Sequence, residues 1–338
     1  MSITRTISLA MYDKSYAHIR PRLEALGLDA LGLDLKVHTF DKTGLLKHGA
    51  TAKPAAEVDV DYLWLSGPIA ADGFQQRAFE IALSMKSVGV LQTYNAGLDD
   101  PFYKRLSDKG TRICNSSAQG VAISEYVMAQ VLSYVHPVEQ QRQLQARREW
   151  KITPYRELSQ MNWLIIGFGP IGQEVAKRAK AFGATTSVIR RSPAASPLAD
   201  KIGTMADLGQ FAAAADVIVL ACQLNASTRG FAGAGFFGEI KPGAILVNVA
   251  RGALIDDKAL IQALDRERLA TAILDVFATE PLPKEDPLWA HPKVRLTSHM
   301  SFAGSGVRAR WDALFLANLQ RFAKGEPLAQ LFNPNDFA

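Results

Sequence analysis

Short apolar segments alternate with helical periodicity in the first part of the chain. The helical stretch runs from His18 to Leu26, and the apolar segments are ISLAMYD, LKVHTF, YLWLSG, VGVLQTY and GTRICNS. Strands that alternate with helices form parallel sheets, because each crossover helix covers a face of the sheet. The pattern predicts a parallel sheet wrapped by helices. A small polar segment, NSSAQ at residues 115–119, is interpreted as a hinge before a long apolar helix, VAISEYVMAQVLSYV.

The second part of the chain repeats this organisation. The strand WLIIG starts a second α/β series that continues to about Ser301, and the tail from Val307 is too short for a domain of its own. We expect this tail to pack back on the first sheet. The predicted fold class is α/β, with two Rossmann-like or flavodoxin-like parallel-sheet domains and a cleft between them. One domain combines residues 1–114 with 305–338, and the other comprises residues 115–304.

Composition agrees with this architecture and excludes other classes. A chain of 338 residues has the length of about two domains, and its 48% hydrophobic and 21% charged residues are ordinary values for globular proteins. The net charge of +5 is distributed along the whole chain, and this favours small anionic ligands over nucleic acid as binding partners. The sequence indicates no membrane span and no signal peptide, and its two cysteines favour neither disulfides nor a metal site. We therefore expect a cytoplasmic protein that binds no membrane.

Residues 163–172 carry a phosphate-binding pattern. The segment WLIIGFGPIG places Gly167, Gly169 and Gly172 in G-x-G-x-x-G spacing between a strand and an amphipathic helix. Gly167 allows a tight turn, Gly169 allows the backbone to approach a pyrophosphate, and Gly172 allows close helix packing. Pro170 and Ile171 would start a helix whose N-terminal N–H groups face the anion. The pattern in this context predicts a dinucleotide site; alone, it would also fit a glycine-rich turn without a ligand.

The turn after the next strand determines which dinucleotide is preferred. Arg190 lies 18 residues after Gly172, where an acidic residue would bind the 2′-hydroxyl of NAD, and Arg191 and Ser192 follow it. Two guanidinium groups would instead bind a 2′-phosphate through charge-assisted hydrogen bonds. We predict that NADP(H) is preferred and that NAD(H) is possible. The alternative interpretation is a solvated basic turn.

Three segments in the second half make a family resemblance specific. They are PGAILVNVARGALIDDKAL, ILDVFATEPLP and VRLTSHM, and they follow GFGPIG in this order. Together they resemble the D-isomer-specific 2-hydroxyacid dehydrogenase family, and the glyoxylate and hydroxypyruvate reductases most of all. The resemblance implies that residues 115–304 bind NAD(P), that the other domain binds substrate, and that the active site contains Arg251, Glu280 and His299.

The expected chemistry requires these three residue types. Reduction of a 2-keto acid needs a proton donor, and His299 titrates near neutrality and would hold its proton more firmly beside Glu280. A planar guanidinium at Arg251 can bind the substrate carboxylate and carbonyl oxygen together. Each residue alone could be structural: a helix-end arginine, a surface glutamate, or a histidine at a strand end.

Further positions follow from the resemblance. Asp275 and Val249 would lie near the nicotinamide, and Gln223 and Thr228 would lie in the loop that passes the cofactor. Backbone N–H groups in two loops of the first domain would bind the substrate carboxylate, unless these loops are only turns; the residues concerned are Ser66, Gly67, Ala96 and Gly97. The segment from 121 to 150 would cross to a second subunit, which implies a homodimer.

The sequence departs from the family at some positions. Ser298 stands where proline is usual before the histidine, and Tyr126 stands where histidine is common.

The expected activity is NADPH-dependent reduction of a small 2-keto acid of the glyoxylate or hydroxypyruvate class to the D-2-hydroxy acid, with His299 as the proton donor. Two alternatives remain open: reduction of bulkier 2-keto acids such as phenylpyruvate, and a non-enzymatic dinucleotide-sensing protein of the same fold.

Overall fold

The computed structural model describes residues 5–337, which divide into two compact units. Unit 1 contains the residues up to Ala118 and those from Ser305 onwards, and unit 2 contains Gln119–Gly304. The sequence placed the first boundary after residue 114, and the structure places it after Ala118. Residues 1–4 and 338, which the predicted first domain included, lie outside the described residues.

Unit 1 is built on a seven-stranded sheet in the order β4-β3-β2-β1-β5-β6-β7. Its strands are β1 (Arg5–Tyr12), β2 (Leu33–Phe40), β3 (Leu45–His48), β4 (Thr51–Pro54), β5 (Asp59–Trp64), β6 (Ser87–Gln92) and β7 (Arg112–Cys114). Its helices are α1 (Asp13–Glu24), α2 (Pro68–Ala71), α3 (Gln75–Ser84), α4 (Pro101–Asp108) and, after unit 2, α11 (Val307–Lys324).

Unit 2 contains the second seven-stranded sheet, in the order β10-β9-β8-β11-β12-β13-β14. All its strand pairs are parallel. The strands are β8 (Asn162–Ile166), β9 (Thr185–Ile189), β10 (Lys201–Gly203), β11 (Val217–Leu220), β12 (Ala244–Asn248), β13 (Leu269–Leu274) and β14 (Val294–Leu296). The helices are α5 (Gly120–Val135), α6 (Val138–Ala146), α7 (Pro170–Ala181), α8 (Leu208–Ala212), α9 (Ala234–Glu239) and α10 (Asp257–Asp265).

The predicted fold class, two α/β units with parallel sheets, is confirmed, with one local exception. In unit 1, β3 pairs antiparallel with both β2 and β4. No pattern in the sequence predicts this hairpin, because its strands have four residues each and β4, exposed throughout, has no buried face. Gly49, with a φ of 56°, supplies the left-handed residue of the connecting turn.

The C-terminal helix α11 packs within unit 1. The ring of Phe315 stacks on Trp64 of β5, with 4.1 Å between the ring centres and an angle of 4° between the planes. Both side chains are buried, and large aromatic rings contribute much of the apolar area removed from water in a core. The helix thereby covers the strand that leads to Ser66 and Gly67.

Among residues 5–337, every helix is too short or too polar to cross a bilayer.

Asp216 anchors the chain where it enters the sheet of unit 2. Its side chain is 3% exposed and accepts hydrogen bonds from Arg156 (2.9 Å), Lys241 (2.6 Å) and the backbone N–H of Asn162 (2.8 Å). Burial would raise the pKa of this carboxyl, but the three donors hold the pKa below its usual value. The ion pair with Arg156 therefore fastens the segment before β8 to the sheet.

His38 of β2 is a buried histidine whose surroundings favour its neutral form. The side chain is buried, and burial, together with Lys36, His48 and Lys53, lowers its pKa from 6.5 to about 4. Between these values the unfolded chain binds a proton that the folded chain does not, so stability is lost as the pH falls through this interval. We expect wild type to lose roughly 2 kcal/mol of unfolding free energy between pH 7.5 and pH 5 from this group alone.

The measurement compares urea unfolding of wild type and His38→Gln at both pH values. The variant should lack this part of the pH dependence, whereas the control His136→Gln, in unit 2, should keep it. Equal pH dependence in wild type and His38→Gln would contradict the assignment.

Candidate active site

The glycine turn between β8 and α7 is tightly constrained by its neighbours. Gly167 has a φ of 98°, and a Cβ atom there would lie 2.4 Å from the backbone nitrogen of Cys222. A Cβ atom on Gly172 would lie 2.1 Å from the carbonyl oxygen of Gly167. Only glycine fits either position, so the turn brings β8, β11 and α7 into close contact.

Burial raises the pKa of the Cys222 thiol to about 11, which makes it a poor nucleophile at neutral pH.

The remaining glycine of the pattern faces open space. A Cβ atom on Gly169 would meet no atom within 4 Å. Pro170 is the first residue of the twelve-residue helix α7, which has no acidic residue in its first turn, and Ile171 follows it. The first turn of a helix leaves N–H groups without intrahelical partners, and its dipole favours an anion. The site therefore fits the pyrophosphate of a dinucleotide.

Two arginines follow β9 beside this turn. The Arg190 guanidinium lies 5.6 Å from the centre of the Phe168 ring, and its Nη1 donates to the carbonyl oxygen of Ala194 at 3.3 Å. Arg191 Nη2 donates to Oε1 of Gln223 at 3.4 Å. The structure thus brings Arg190 to the glycine turn and joins Arg191 to another residue predicted for the cofactor.

The other predicted cofactor residues have structural contacts in unit 2. Ser192 is exposed, and its carbonyl oxygen accepts the N–H of Ala194. The hydroxyl of Thr228 donates to the carbonyl oxygen of Gln223 at 2.7 Å and so stabilises that loop. Val249 is only 5% exposed and packs in the core. Contacts of these residues with a cofactor stay a prediction.

His299 and Glu280 form the central pair of the site. Nδ1 of His299 lies 2.7 Å from Oε2 of Glu280, and the side chains are 41% and 35% exposed, respectively. The other oxygen of Glu280, Oε1, accepts the backbone N–H of Phe277 at 2.9 Å. An ionised carboxylate only accepts hydrogen bonds, so Nδ1 carries a hydrogen and Nε2 remains the nitrogen that can exchange a proton.

Arg251 lies in a turn directly after β12. The side-chain amide of Asn248 donates to the carbonyl oxygen of Arg251 at 2.9 Å, while its Oδ1 accepts the N–H of Ala250 at 3.1 Å. Nη1 of Arg251 donates to the carbonyl oxygen of Ala250 at 2.8 Å. Asn248 therefore shapes the turn that holds the guanidinium. In the sequence, this asparagine is distinguished only by its place in the segment PGAILVNVARGALIDDKAL.

Gly252 joins the arginine turn to the segment that carries Glu280. A Cβ atom at this position would lie 1.9 Å from the carbonyl carbon of Phe277. Phe277 donates its N–H to Glu280. Arg251 and Glu280 are thus held on two backbone segments in direct contact.

We expect Gly252→Ala to destabilise unit 2 by about 3 kcal/mol or more, because the methyl group collides with backbone that cannot move alone. The measurement is thermal or urea unfolding. Gly235→Ala is the matched control, since nothing lies within 4 Å of a Cβ atom there. Equal stability of the two variants would contradict the close contact.

Asp275, which the family resemblance places near the nicotinamide, lies against the turn that carries His299. It is fully buried, and its carboxylate accepts hydrogen bonds from the hydroxyl of Thr297 (2.6 Å) and the N–H groups of Met300 (2.9 Å) and Ser301 (3.0 Å). These donors lie on both sides of His299. Asp275 therefore ties the residues around His299 to one buried carboxylate, and its contact with a cofactor stays a prediction.

Tyr126 of α5 extends this network. Its hydroxyl lies 2.7 Å from the hydroxyl of Thr297. In the sequence, Tyr126 is distinguished only by its departure from the family pattern. A contact between residues 171 positions apart has no local sequence signal.

The predicted substrate loops lie at adjacent strand ends in unit 1. Ser66 and Gly67 follow β5, and Ala96 and Gly97 follow β6, which pairs in parallel with β5. The hydroxyl of Ser66 contacts that of Ser15, and the ring of Trp311 occupies the space where a Cβ atom of Gly67 would lie. Carboxyl ends of parallel strands are the usual place for ligands in such sheets. Substrate binding by these loops stays a prediction.

No group of three or more histidine, cysteine, aspartate or glutamate side chains comes together as a metal-ligand set in the described part of the chain.

Known proteins resemble both the sequence and the fold. The chain is 32% identical over 197 residues to a glyoxylate/hydroxypyruvate reductase A of Citrobacter koseri, a match that covers 58% of this chain and 61% of that relative. It is 28% identical over 317 residues to a hydroxypyruvate reductase of Blautia hydrogenotrophica, covering 90% of this chain and 94% of the relative. A crystal structure from Aeromonas salmonicida, a D-isomer specific 2-hydroxyacid dehydrogenase family protein, matches with a TM-score of 0.74 and 28% identity over 97% of this chain and 99% of that one.

A family model locates the resemblance in unit 2. Residues 128–301 match the NAD binding domain of the D-isomer specific 2-hydroxyacid dehydrogenases. This range contains the glycine turn, both arginines that follow β9, and the His299–Glu280 pair. The chain belongs to the D-isomer specific 2-hydroxyacid dehydrogenase family.

Proposed function

We propose that this protein is an NADPH-dependent reductase of small 2-keto acids, of the glyoxylate or hydroxypyruvate class, and produces the D-2-hydroxy acid. The observation that carries the proposal is the His299–Glu280 pair, 2.7 Å apart, in the same unit as the glycine turn. A dinucleotide site with a hydrogen-bonded imidazole and a guanidinium combines the groups needed to reduce a carbonyl next to a carboxylate. The names of the two reductase relatives support the substrate class.

In the proposed reaction, the bound cofactor supplies a hydride to the carbonyl carbon of the substrate. His299 gives the proton on Nε2 to the carbonyl oxygen, which becomes the hydroxyl group of the 2-hydroxy acid, and the imidazole then recovers a proton from solvent. Glu280 keeps the hydrogen of His299 on Nδ1 and stabilises the charged ring before the transfer. Arg251 binds the carboxylate of the substrate and orients its carbonyl group.

Preference for NADPH is part of the proposal. Arg190 and Arg191 replace the acidic residue that would bind the ribose of NAD, and their contacts with Phe168 and Gln223 restrict both guanidinium groups near the glycine turn. Side chains that are already ordered lose less conformational entropy when they bind a phosphate.

A steady-state screen tests the proposed activity. Purified protein is assayed with glyoxylate, hydroxypyruvate, pyruvate and phenylpyruvate, each with NADPH and with NADH. We expect the highest kcat/KM with NADPH and one of the two small substrates. A preference for phenylpyruvate would favour the alternative of bulkier substrates, while tight NADPH binding without turnover would favour a dinucleotide sensor.

We also propose that the protein is a homodimer that associates through an exposed arm after α5, at residues 137–155. Apolar side chains are exposed along this arm: Trp150 by 100%, Ile152 by 85%, Tyr155 by 53% and Val138 by 46%. Of the residues in α6, only Leu144 is buried. Clustered apolar exposure is typical of an interface, and a second copy of the chain is the partner implied by the family resemblance.

We expect wild type to have twice the mass of one chain in light scattering, and the double variant Trp150→Ser/Ile152→Ser to dissociate at least about a hundredfold more readily. The reason is that burying two large apolar side chains contributes roughly 3 to 6 kcal/mol. Phe182→Ser, at an exposed site after α7, is the matched control and should remain dimeric. A wild-type monomer would contradict the proposal.

A cytoplasmic location completes the proposal. The two cysteines, Cys114 and Cys222, are free thiols, as expected in a reducing compartment. Fractionation of the native host would test this.

A further inference from the structure

The backbone of His299 has a conformation that needs support. Its φ is 51°, in the left-handed region that residues other than glycine adopt with a cost in free energy. The preceding residue is Ser298, whose φ is not fixed by a ring as proline's would be. Contacts outside the turn must therefore keep His299 in the geometry that places Nδ1 on Glu280.

Asp275 supplies these contacts from beneath the turn. One carboxylate oxygen accepts the N–H of Met300 at 2.9 Å and the hydroxyl of Thr297 at 2.6 Å, and the other accepts the N–H of Ser301 at 3.0 Å. Thr297 is bound a second time, through its backbone N–H to the carbonyl oxygen of Leu274 at 3.0 Å. Residues before and after His299 are thus fixed to the same buried side chain.

The hydrogen-bond directions connect Tyr126 to this arrangement. A threonine hydroxyl has a single hydrogen, and Thr297 donates it to Asp275. The oxygen of Thr297 must therefore act as acceptor in its 2.7 Å contact with Tyr126, and the tyrosine hydroxyl is the donor. Burial raises the pKa of Tyr126 to about 12, so this hydroxyl keeps its hydrogen throughout the physiological range. The chain Tyr126→Thr297→Asp275 has one direction and ends at the histidine turn.

We propose that Tyr126 is a positioning residue for the reaction: through Thr297 and Asp275 it holds the turn that presents His299 for proton transfer. This inference rests on the proposed function, since it concerns the efficiency of the same proton donor. Tyr126 acts from helix α5, outside the segments that carry Arg251, Glu280 and His299, and makes the geometry of the histidine depend on a hydroxyl group of that helix.

The first experiment compares two tyrosine variants on α5. Tyr126→Phe removes only the donor hydroxyl, and Tyr134→Phe, on the same helix, is the matched control, because Tyr134 packs its ring under Arg295 instead. With cofactor and substrate saturating, we expect Tyr126→Phe to lower kcat about five- to tenfold, the usual effect of one lost hydrogen bond. The Kd for NADPH should stay within about twofold of wild type, and Tyr134→Phe should retain the wild-type kcat.

Thr297 provides a second, independent comparison. Thr297→Val removes the central hydroxyl and should lower kcat at least as much as Tyr126→Phe, whereas Thr297→Ser keeps the hydroxyl and should retain most of the activity. The double variant Tyr126→Phe/Thr297→Val should be no slower than Thr297→Val alone, since both changes break one chain. In a His299→Ala background, Tyr126→Phe should cause no further loss.

A readout without turnover separates this inference from the proposed function. The protein contains six histidines, and in protein labelled with 15N-histidine the His299 signals are assigned by their loss in His299→Ala. We expect Tyr126→Phe to shift the ring signals of His299 and to leave those of the other histidines unchanged. If wild type reduces no 2-keto acid, the proposed function fails and this spectrum still decides the positioning role. The inference is overturned by unchanged His299 signals in Tyr126→Phe, by a wild-type kcat in that variant, or by an additive loss in the double variant.

Discussion

Replacing His299 by alanine should lower kcat for 2-keto acid reduction about a hundred- to ten-thousandfold, the usual contribution of a general acid. The imidazole acts on the substrate oxygen, so the Kd for NADPH should change little. The variant retains Arg251 and the glycine turn, and it should therefore still bind substrate and cofactor. The rate is measured in single turnovers with deuterated NADPH, because a primary isotope effect shows that hydride transfer limits the observed rate.

The control for this prediction is His291→Ala, which removes another histidine of unit 2. Nε2 of His291 lies 3.4 Å from Oδ1 of Asp265 instead of facing Glu280 through a hydrogen bond. It should keep the wild-type kcat. If His299→Ala retains half of the wild-type rate while the isotope effect is present, His299 is not the proton donor.

The double variant Arg190→Ala/Arg191→Ala should bind NADPH at least about a hundredfold more weakly than wild type, with a change of no more than a few-fold for NADH. Each charge-assisted hydrogen bond to the 2′-phosphate contributes roughly 1.5 to 3 kcal/mol, and NADH lacks that group. Because the two guanidiniums are restrained by Phe168 and Gln223, their loss should appear in affinity for NADPH rather than in the rate of hydride transfer. Fluorescence titration of both dinucleotides gives the ratio directly.

Lys177→Ala is the matched control, since it removes an exposed cation from helix α7 and leaves the turn after β9 intact. It should preserve the ratio of NADPH to NADH affinity. The proposed binding of the 2′-phosphate by the two arginines would be refuted if the arginine variant bound both dinucleotides equally more weakly, or if wild type preferred NADH.

Local patterns explain how much of this fold could be predicted. The strand WLIIG and the glycines after it give β8 and the turn to α7, because the apolar run, the glycine spacing and the helix follow one another in the chain. The position of Arg190 could be predicted as well, because it follows the next strand at a fixed distance along the chain from Gly172. In contrast, the β3–β4 hairpin has short, exposed strands that lack a periodic apolar face.

The site shows the same division. The family resemblance predicts Glu280 and His299 as a pair, and the structure brings them together. Their catalytic roles stay a prediction. The contact of Tyr126 with Thr297 joins residues 171 positions apart, and that of Thr297 with Asp275 joins residues 22 apart. Such contacts depend on how α5, β13 and the turn after β14 pack. A single sequence carries no signal for that packing beyond the presence of groups able to form hydrogen bonds.

The ion pair of Arg156 with Asp216 marks the point where the exposed arm ends and the sheet of unit 2 begins. The pair fixes the chain just before β8, so the exposed arm at residues 137–155 ends at an anchor that belongs to the sheet. We expect substitutions within the arm to leave the strand that leads to the glycine turn unaltered. As long as Arg156 and Asp216 are both retained, we expect changes in the arm and dinucleotide binding to be independent of each other.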